Sequence, residues 1–281
     1  MTRRTQTPWE TTLALKFPPL AVFYANEIPP NARPLVGRCA ALALAQAARG
    51  ETVYVDLENC RCPGAVGGLA LGPFASERFP CGASGFERFF STGFAGWPPG
   101  DEALAQMEPA ARRKFEKGEG YAPTSDAAKR YVASLPTVEP EGVCVVFKPL
   151  AKLTSNETPK AVVFLVDADA LSALVVLANY VRGASTDAVR IPFASGCASV
   201  ALFPFAEANR PDGEGRAVVG GIDVSARLVL RKALGEEIVA FAAPWELFQK
   251  MDASADESFL SRFVWRKILD SKRGGDGGEN A

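Results

Sequence analysis

Short apolar runs alternate along this chain with prolines, glycines and charges that break them. Leu20 to Tyr24 is an apolar run behind Pro18 and Pro19 and reads as a strand. Pro34 opens a stretch rich in Ala and Leu, roughly Leu35 to Ala48, which stops at Gly50; that pattern predicts a helix. Thr52 to Leu57 alternates and is β-branched, so it predicts a strand. A turn over Glu58 to Pro63 leads into Gly64 to Leu71, a small-residue helix or tight turn. After Pro136 the pattern resumes. Val143 to Phe147 and Ala161 to Val166 predict strands, Ala170 to Val181 a helix ending at Gly183, and Ala188 to Phe193 a further strand before Ser195-Gly196-Cys197. Val218 to Ile222, Arg227 to Leu230 and residues 233–249 complete the body. Strands alternating with helices predict an α/β or α+β fold, a mixed sheet with packed helices.

The remaining segments differ in character. Residues 1–12 read as an N-terminal arm and 270–281, charged and Gly-rich, as a disordered tail, leaving 13–269 as a single globular domain. Residues 73–100 are rich in Gly, Pro and aromatics, with Phe79, Phe86, Phe89, Phe90, Phe94 and Trp97. A linker would be polar, so this segment predicts a packed functional loop. Residues 101–135 read as helices with a solvated charged face.

The two α/β stretches echo each other. Ala21-Val22-Phe23, a helix, Arg49-Gly50, a strand and Cys62 follow the same order as Ala161-Val162-Val163, a helix, Arg182-Gly183, a strand and Cys197. This makes 20–72 and 161–203 candidates for an internal repeat of strand–helix–strand units, with chance α/β similarity as the alternative. Under the repeat, Cys62 and Cys197 are pseudo-equivalent, each at a helix start whose amides favour a thiolate or an anion.

Composition narrows the chemistry. The 281 residues carry a net charge of −1, so no global positive field draws in nucleic acid. There is no histidine. A His general base, a Ser-His-Asp triad and any His-ligated metal are therefore excluded. Ala161 to Val181 is long enough to suggest a membrane span, but Asp167 and Asp169 interrupt it, and a strand followed by a buried helix is expected instead. No targeting segment is evident, so a cytoplasmic location with reduced cysteines is expected.

Six cysteines remain as the main chemical resource. Cys144 lies in a buried strand pattern and reads as a core residue. Cys39, Cys60, Cys62, Cys81 and Cys197 sit near turns and helix starts and are the candidate ligands of an iron–sulfur cluster or zinc. Arg38, Gly64 and Ser195 are the candidate cofactor contacts beside them. Asp223 and Arg227, four residues apart, read as a structural pair. Two functions stay open. One is redox or cofactor handling at a cysteine-ligated metal site, with a redox partner. The other is a non-catalytic module that binds an anionic small molecule under the aromatic segment 79–97. Whether the chain is an enzyme is open in both.

The motifs also carry a resemblance. Arg38-Cys39 opening a helix, Cys62-Pro63-Gly64-Ala65 leading to Leu71-Gly72, Ser195-Gly196-Cys197-Ala198-Ser199, Gly221-Ile222-Asp223 followed by Ala226-Arg227, and Pro244 stand in the order found in the uncharacterised ArCR proteins, a domain-of-unknown-function family numbered 169. The chain resembles that family over about residues 12 to 265. The resemblance implies one full-length domain and marks Cys39, Cys62 and Cys197; it implies no activity.

Overall fold

The computed structural model describes residues 7–37, 39–62, 64–73 and 78–274; Arg38, one of the candidate cofactor contacts, lies outside them. The chain runs α1 (Pro8–Thr12), β1 (Leu20–Ala25), β2 (Arg33–Pro34), α2 (Leu42–Ala48), β3 (Val53–Asp56), α3 (Ala65–Gly68), α4 (Gly82–Phe90), α5 (Pro98–Ala105), α6 (Pro109–Lys117), α7 (Ser125–Ala133) and β4 (Cys144–Pro149). It continues through β5 (Ala161–Val166), α8 (Ala168–Arg182), β6 (Val189–Arg190), α9 (Leu202–Ala208), β7 (Ala217–Gly220), α10 (Val224–Leu234), β8 (Val239–Pro244), α11 (Trp245–Ser254) and α12 (Phe263–Gly274). The strands form one mixed sheet in the order β2-β3-β4-β1-β5-β8-β7-β6. The expected α/β class with a mixed sheet is what the chain adopts.

That strand order is a palindrome of two four-strand units, and the register makes it a pseudo-twofold. The units meet where β1 and β5 run antiparallel, with Leu20 opposite Val163, Ala21 opposite Val162 and Val22 opposite Ala161. Leu20 also faces Pro149 on β4, as Ala161 faces Pro244 on β8. Val53 faces Phe147 as Val218 faces Ala242, and the parallel edge pairs set Arg33 against Val53 and Arg190 against Val218. The strand ends match as well. Leu150 N–H donates to the Pro19 carbonyl at 2.8 Å, and Trp245 N–H to that of Lys160 at 3.0 Å.

The register relates the two halves of the sheet and pairs their elements differently from the repeat expected at 20–72 and 161–203. β3 corresponds to β7 and β2 to β6, so α2 corresponds to α9, not to α8. The matching sequence is Cys39-Ala40-Ala41-Leu42-Ala43-Leu44 with Cys197-Ala198-Ser199-Val200-Ala201-Leu202. Cys39, not Cys62, is the counterpart of Cys197. The order of elements misleads because the second unit carries an extra helix, α8, between its first two strands. α2 and α8 even lie on opposite faces of the sheet. α2 packs in the core formed with α3, α9 and α10, and α8 in the core formed with α1, α11 and α12.

β4 and β5 are buried at every position, as strands covered on both faces must be. The 161–181 run divides as expected into strand and helix. Asp167 separates them, accepting from Ala170 N–H at 2.9 Å as the α8 cap and pairing with Lys272 at 2.7 Å. Among the described residues no helix is long and apolar enough to cross a membrane.

Three expectations about the flanks and inserts change. Residues 8–12, read as part of an arm, form α1, pinned by Trp9, which is buried and donates to Asp252 at 2.7 Å. Residues 270–274, read as tail, complete α12; 275–281 lie outside the described residues. The aromatic segment is not a loop. It becomes α4, and its rings join Leu104, Phe115, Tyr121 and Tyr131 in a small core of their own. The result is a helical lobe, residues 78–135, inserted between β3 and β4.

Candidate functional site

The turn that follows each parallel edge strand folds back over one sheet face and brings cysteines inward. Cys60 and Cys197 are buried in the core between the sheet and α2, α3, α9 and α10, and Cys39 and Cys62 pack against it half-exposed. Four of the six thiols thus come together from three distant segments. Cys60 Sγ donates to the Cys62 carbonyl at 3.5 Å, and Cys197 Sγ lies 3.4 Å from Ser195 Oγ. Two glycines permit this approach. A Cβ on Gly68 would lie 2.5 Å from Cys197 Sγ, and one on Gly196 would lie 2.8 Å from the Ala226 Cβ.

The pseudo-symmetry assigns partners. Cys62 precedes α3 and its carbonyl accepts from Ala65 N–H at 3.0 Å. Asp223 holds the corresponding place before α10 and accepts from Ala226 N–H at 3.0 Å and Ser225 N–H at 3.2 Å. Charge on Cys62 bears on Cys197, and charge on Cys62 and Asp223 bears on Cys39. Burial pushes the Cys197 thiol strongly up, and charge on Cys62 adds to it. Burial also raises Cys39, against the Ala41 amide that favours its thiolate, and raises Cys60. At Cys39, Cys60 and Cys197 burial outweighs the backbone and side-chain donors that favour the thiolate, so the neutral thiol is favoured there.

The other candidates divide. Ser195 lies in the cluster, its Oγ accepting from Ala198 N–H at 3.4 Å. Gly64 caps the short α3, with open space where a side chain would stand. Cys81 belongs to the helical lobe instead. It is exposed at the start of α4 and bonds to the Pro99 carbonyl at 3.4 Å. Cys144 is a core residue in β4 as expected. Asp223 and Arg227 do not pair; Arg227 turns to the carbonyls of Glu236 and Ile238. Among the described residues no group of three or more Cys, Asp or Glu stands ready to hold a metal ion. The four clustered thiols are neighbours in a core, not a preformed tetrahedron, and loading them would require side-chain rotation.

Residues that the sequence reading passed over complete the site. Ser199 is buried, donates to the Gly196 carbonyl at 3.0 Å and accepts from Gly221 N–H at 3.2 Å. It ties the Cys197 turn to the turn that carries Asp223. Tyr121 and Tyr131 reach in from the helical lobe. Tyr131 O–H donates to the Phe193 carbonyl at 3.1 Å, and the Tyr121 hydroxyl accepts from Ser225 N–H at 3.0 Å. Burial raises Tyr131, with the charges of Asp223 and Cys197 behind it. The period-breaking aromatics of the lobe were visible in sequence; their partners across the chain were not.

A separate cleft of about 340 Å³ opens near the ends of β5 and β8, lined among others by Tyr24, Glu141, Lys160 and Trp245. It does not include the cysteines or the 79–97 segment.

No curated protein and no solved structure matches this chain. A family profile matches residues 10–253, which span both sheet units, the helical lobe and every clustered cysteine. The chain belongs to DUF169, the family described as Uncharacterised ArCR.

Proposed function

We propose that this chain handles a thiophilic metal ion or iron–sulfur cluster at a cysteine centre made by Cys39, Cys62 and Cys197, with Cys60 as the fourth thiol. The observation that carries the reading is that these four side chains, from three segments far apart in sequence, lie in or against one core on one side of the sheet, close enough that charge on Cys62, Cys39 and Cys60 bears on Cys197. In a chain without histidine, a transition metal must rest on thiolate, carboxylate or backbone oxygen, and soft thiolates select zinc, copper(I) or iron–sulfur clusters. Burial holds the Cys39, Cys60 and Cys197 thiols above their ordinary range, so binding through them displaces a proton for each thiolate formed, and affinity rises with pH. Cys81, in the helical lobe, stands apart from this set.

Anaerobic purification followed by iron, sulfide and zinc analysis tests the reading. The expected result is bound metal that Cys39→Ser, Cys62→Ser or Cys197→Ser releases and Cys81→Ser retains. Metal-free protein at full thiol count, with stability unchanged by chelation, overturns it.

A further inference from the structure

The two sheet units differ most in what joins their last two strands. β7 reaches β8 through α10 alone, residues 221–238, whereas β3 reaches β4 through residues 57–143, which include the helical lobe. The lobe has its own aromatic core and so holds its shape independently of the sheet. It touches the other unit at two turns, and both belong to the thiol site. Tyr131 O–H holds the Phe193 carbonyl, two residues before Ser195. The Phe193 ring lies 5.4 Å from the ring of Tyr131, 5.5 Å from Tyr121 and 5.8 Å from Phe90. At the second turn, Tyr121 and Glu119 hold Ser225, beside Asp223; Ser225 Oγ donates to Glu119 Oε1 at 3.1 Å, and Lys114 pairs with the same carboxylate at 2.9 Å.

We propose that the helical lobe is a cap on the thiol centre, latched at Phe193 and Ser225, and that it must lift for a ligand or partner to reach Cys197. The placement follows from chain connectivity. Among the described residues, the side-chain hydrogen bonds and ring contacts of this inserted segment to the second unit fall on the turns that carry Ser195-Gly196-Cys197 and Asp223. Cys197 is 7% exposed in a turn whose Phe193 end these contacts hold, while Cys39 and Cys62 are partly exposed. The latches are few and polar, with aromatic contacts to one half-exposed ring, which is the composition of a contact that opens below the cost of global unfolding. The proposal rests on the thiol-centre reading for its purpose but not for its test.

The test is the rate of alkylation of each cysteine by iodoacetamide in the full-length, chelator-treated protein, followed by peptide mass spectrometry. Cys144, fully buried in β4, reports global unfolding. Tyr121→Phe with Tyr131→Phe removes the phenolic hydrogen bonds, and Phe193→Ala removes the gripped ring while keeping its carbonyl. Cys197 labelling rising about tenfold in either variant, with Cys144 unmoved, is the expected result. No change at Cys197, or Cys197 and Cys144 rising together in both variants, overturns the cap. Because labelling is read without metal, a cap can hold in a chain that proves metal-free, and a metal-loaded chain can lack one.

Discussion

Replacing Ser199 with alanine removes one oxygen from the centre of the site and leaves the backbone in place. Ser199 is 1% exposed, and its hydroxyl serves Gly221 N–H at 3.2 Å and the Gly196 carbonyl at 3.0 Å. The loss of the acceptor matters most, because the Gly221 amide is then buried without a partner. An orphaned buried donor costs about 1–3 kcal/mol, and the vacated oxygen volume adds little, so about 2 kcal/mol is expected. The first unit shows how the same amide can be satisfied otherwise. Its equivalent of Ser199 is Ala41, and its equivalent of Gly221, Asp56, donates instead to Asn59 Oδ1 at 3.4 Å. No such side chain stands three residues after Gly221, where the sequence has Val224. Urea unfolding of Ser199→Ala should show a lower midpoint at unchanged slope, and thermal unfolding a Tm lower by about 4–6 °C. A loss below about 0.5 kcal/mol, the range of ordinary surface substitutions, would refute the claim that this hydroxyl joins the two turns.

Two further predictions concern charge. Burial holds Cys39, Cys60 and Cys197 above their ordinary range, whereas unfolded thiols titrate near ~8.5. Above that pH the native state keeps protons that the unfolded state has lost. The stability these groups lend is therefore complete below about pH 8 and declines as pH rises through 9 and beyond. Urea midpoints at pH 7.5 and 9.5 should separate in the native sequence and draw together in Cys39→Ser with Cys197→Ser. On α9, burial opposes the charge of Glu207, yet Arg216 and Arg190 hold its carboxyl below the usual range, at 2.9 and 2.8 Å. Glu207→Gln breaks an ion cluster whose carboxylate is buried but whose arginines are partly exposed, and which fastens α9 to the β6 and β7 edge; it should cost about 1–2 kcal/mol in equilibrium unfolding at pH 7. Its stabilisation is present above about pH 4.3 and fades as pH falls below that, so native and variant stabilities should converge in acid.

Local pattern determined a good deal of this protein. The runs at Leu20, Thr52, Val143 and Ala161 each produced a strand, because an apolar run bounded by proline, glycine or charge has few other stable forms. The Asp167 interruption marked the step from β5 into α8. The motifs around Cys39, Cys62 and Cys197 marked the family and the residues that converge. Local pattern could not determine which elements are equivalent. α2 and α8 look alike in sequence, both strand-following helices with an Arg-Gly stop, and only sheet register shows that they cover opposite faces. Nor could it separate Cys81 from Cys60, since both lie near turns; long-range packing leaves one exposed on the lobe and buries the other in the core on the sheet face. The aromatics of 79–97 read as a loop because glycine and proline dominate the segment locally. Ring-to-ring contacts of Phe89 with Phe115, and of Phe90 with Tyr121 and Tyr131, the last 41 residues downstream, give part of it a helix with a core. The strands named above follow from nearest neighbours along the chain. The site follows from contacts between residues that only the folded sheet brings together, and burial at those contacts sets the thiol protonation that helix ends alone would have reversed.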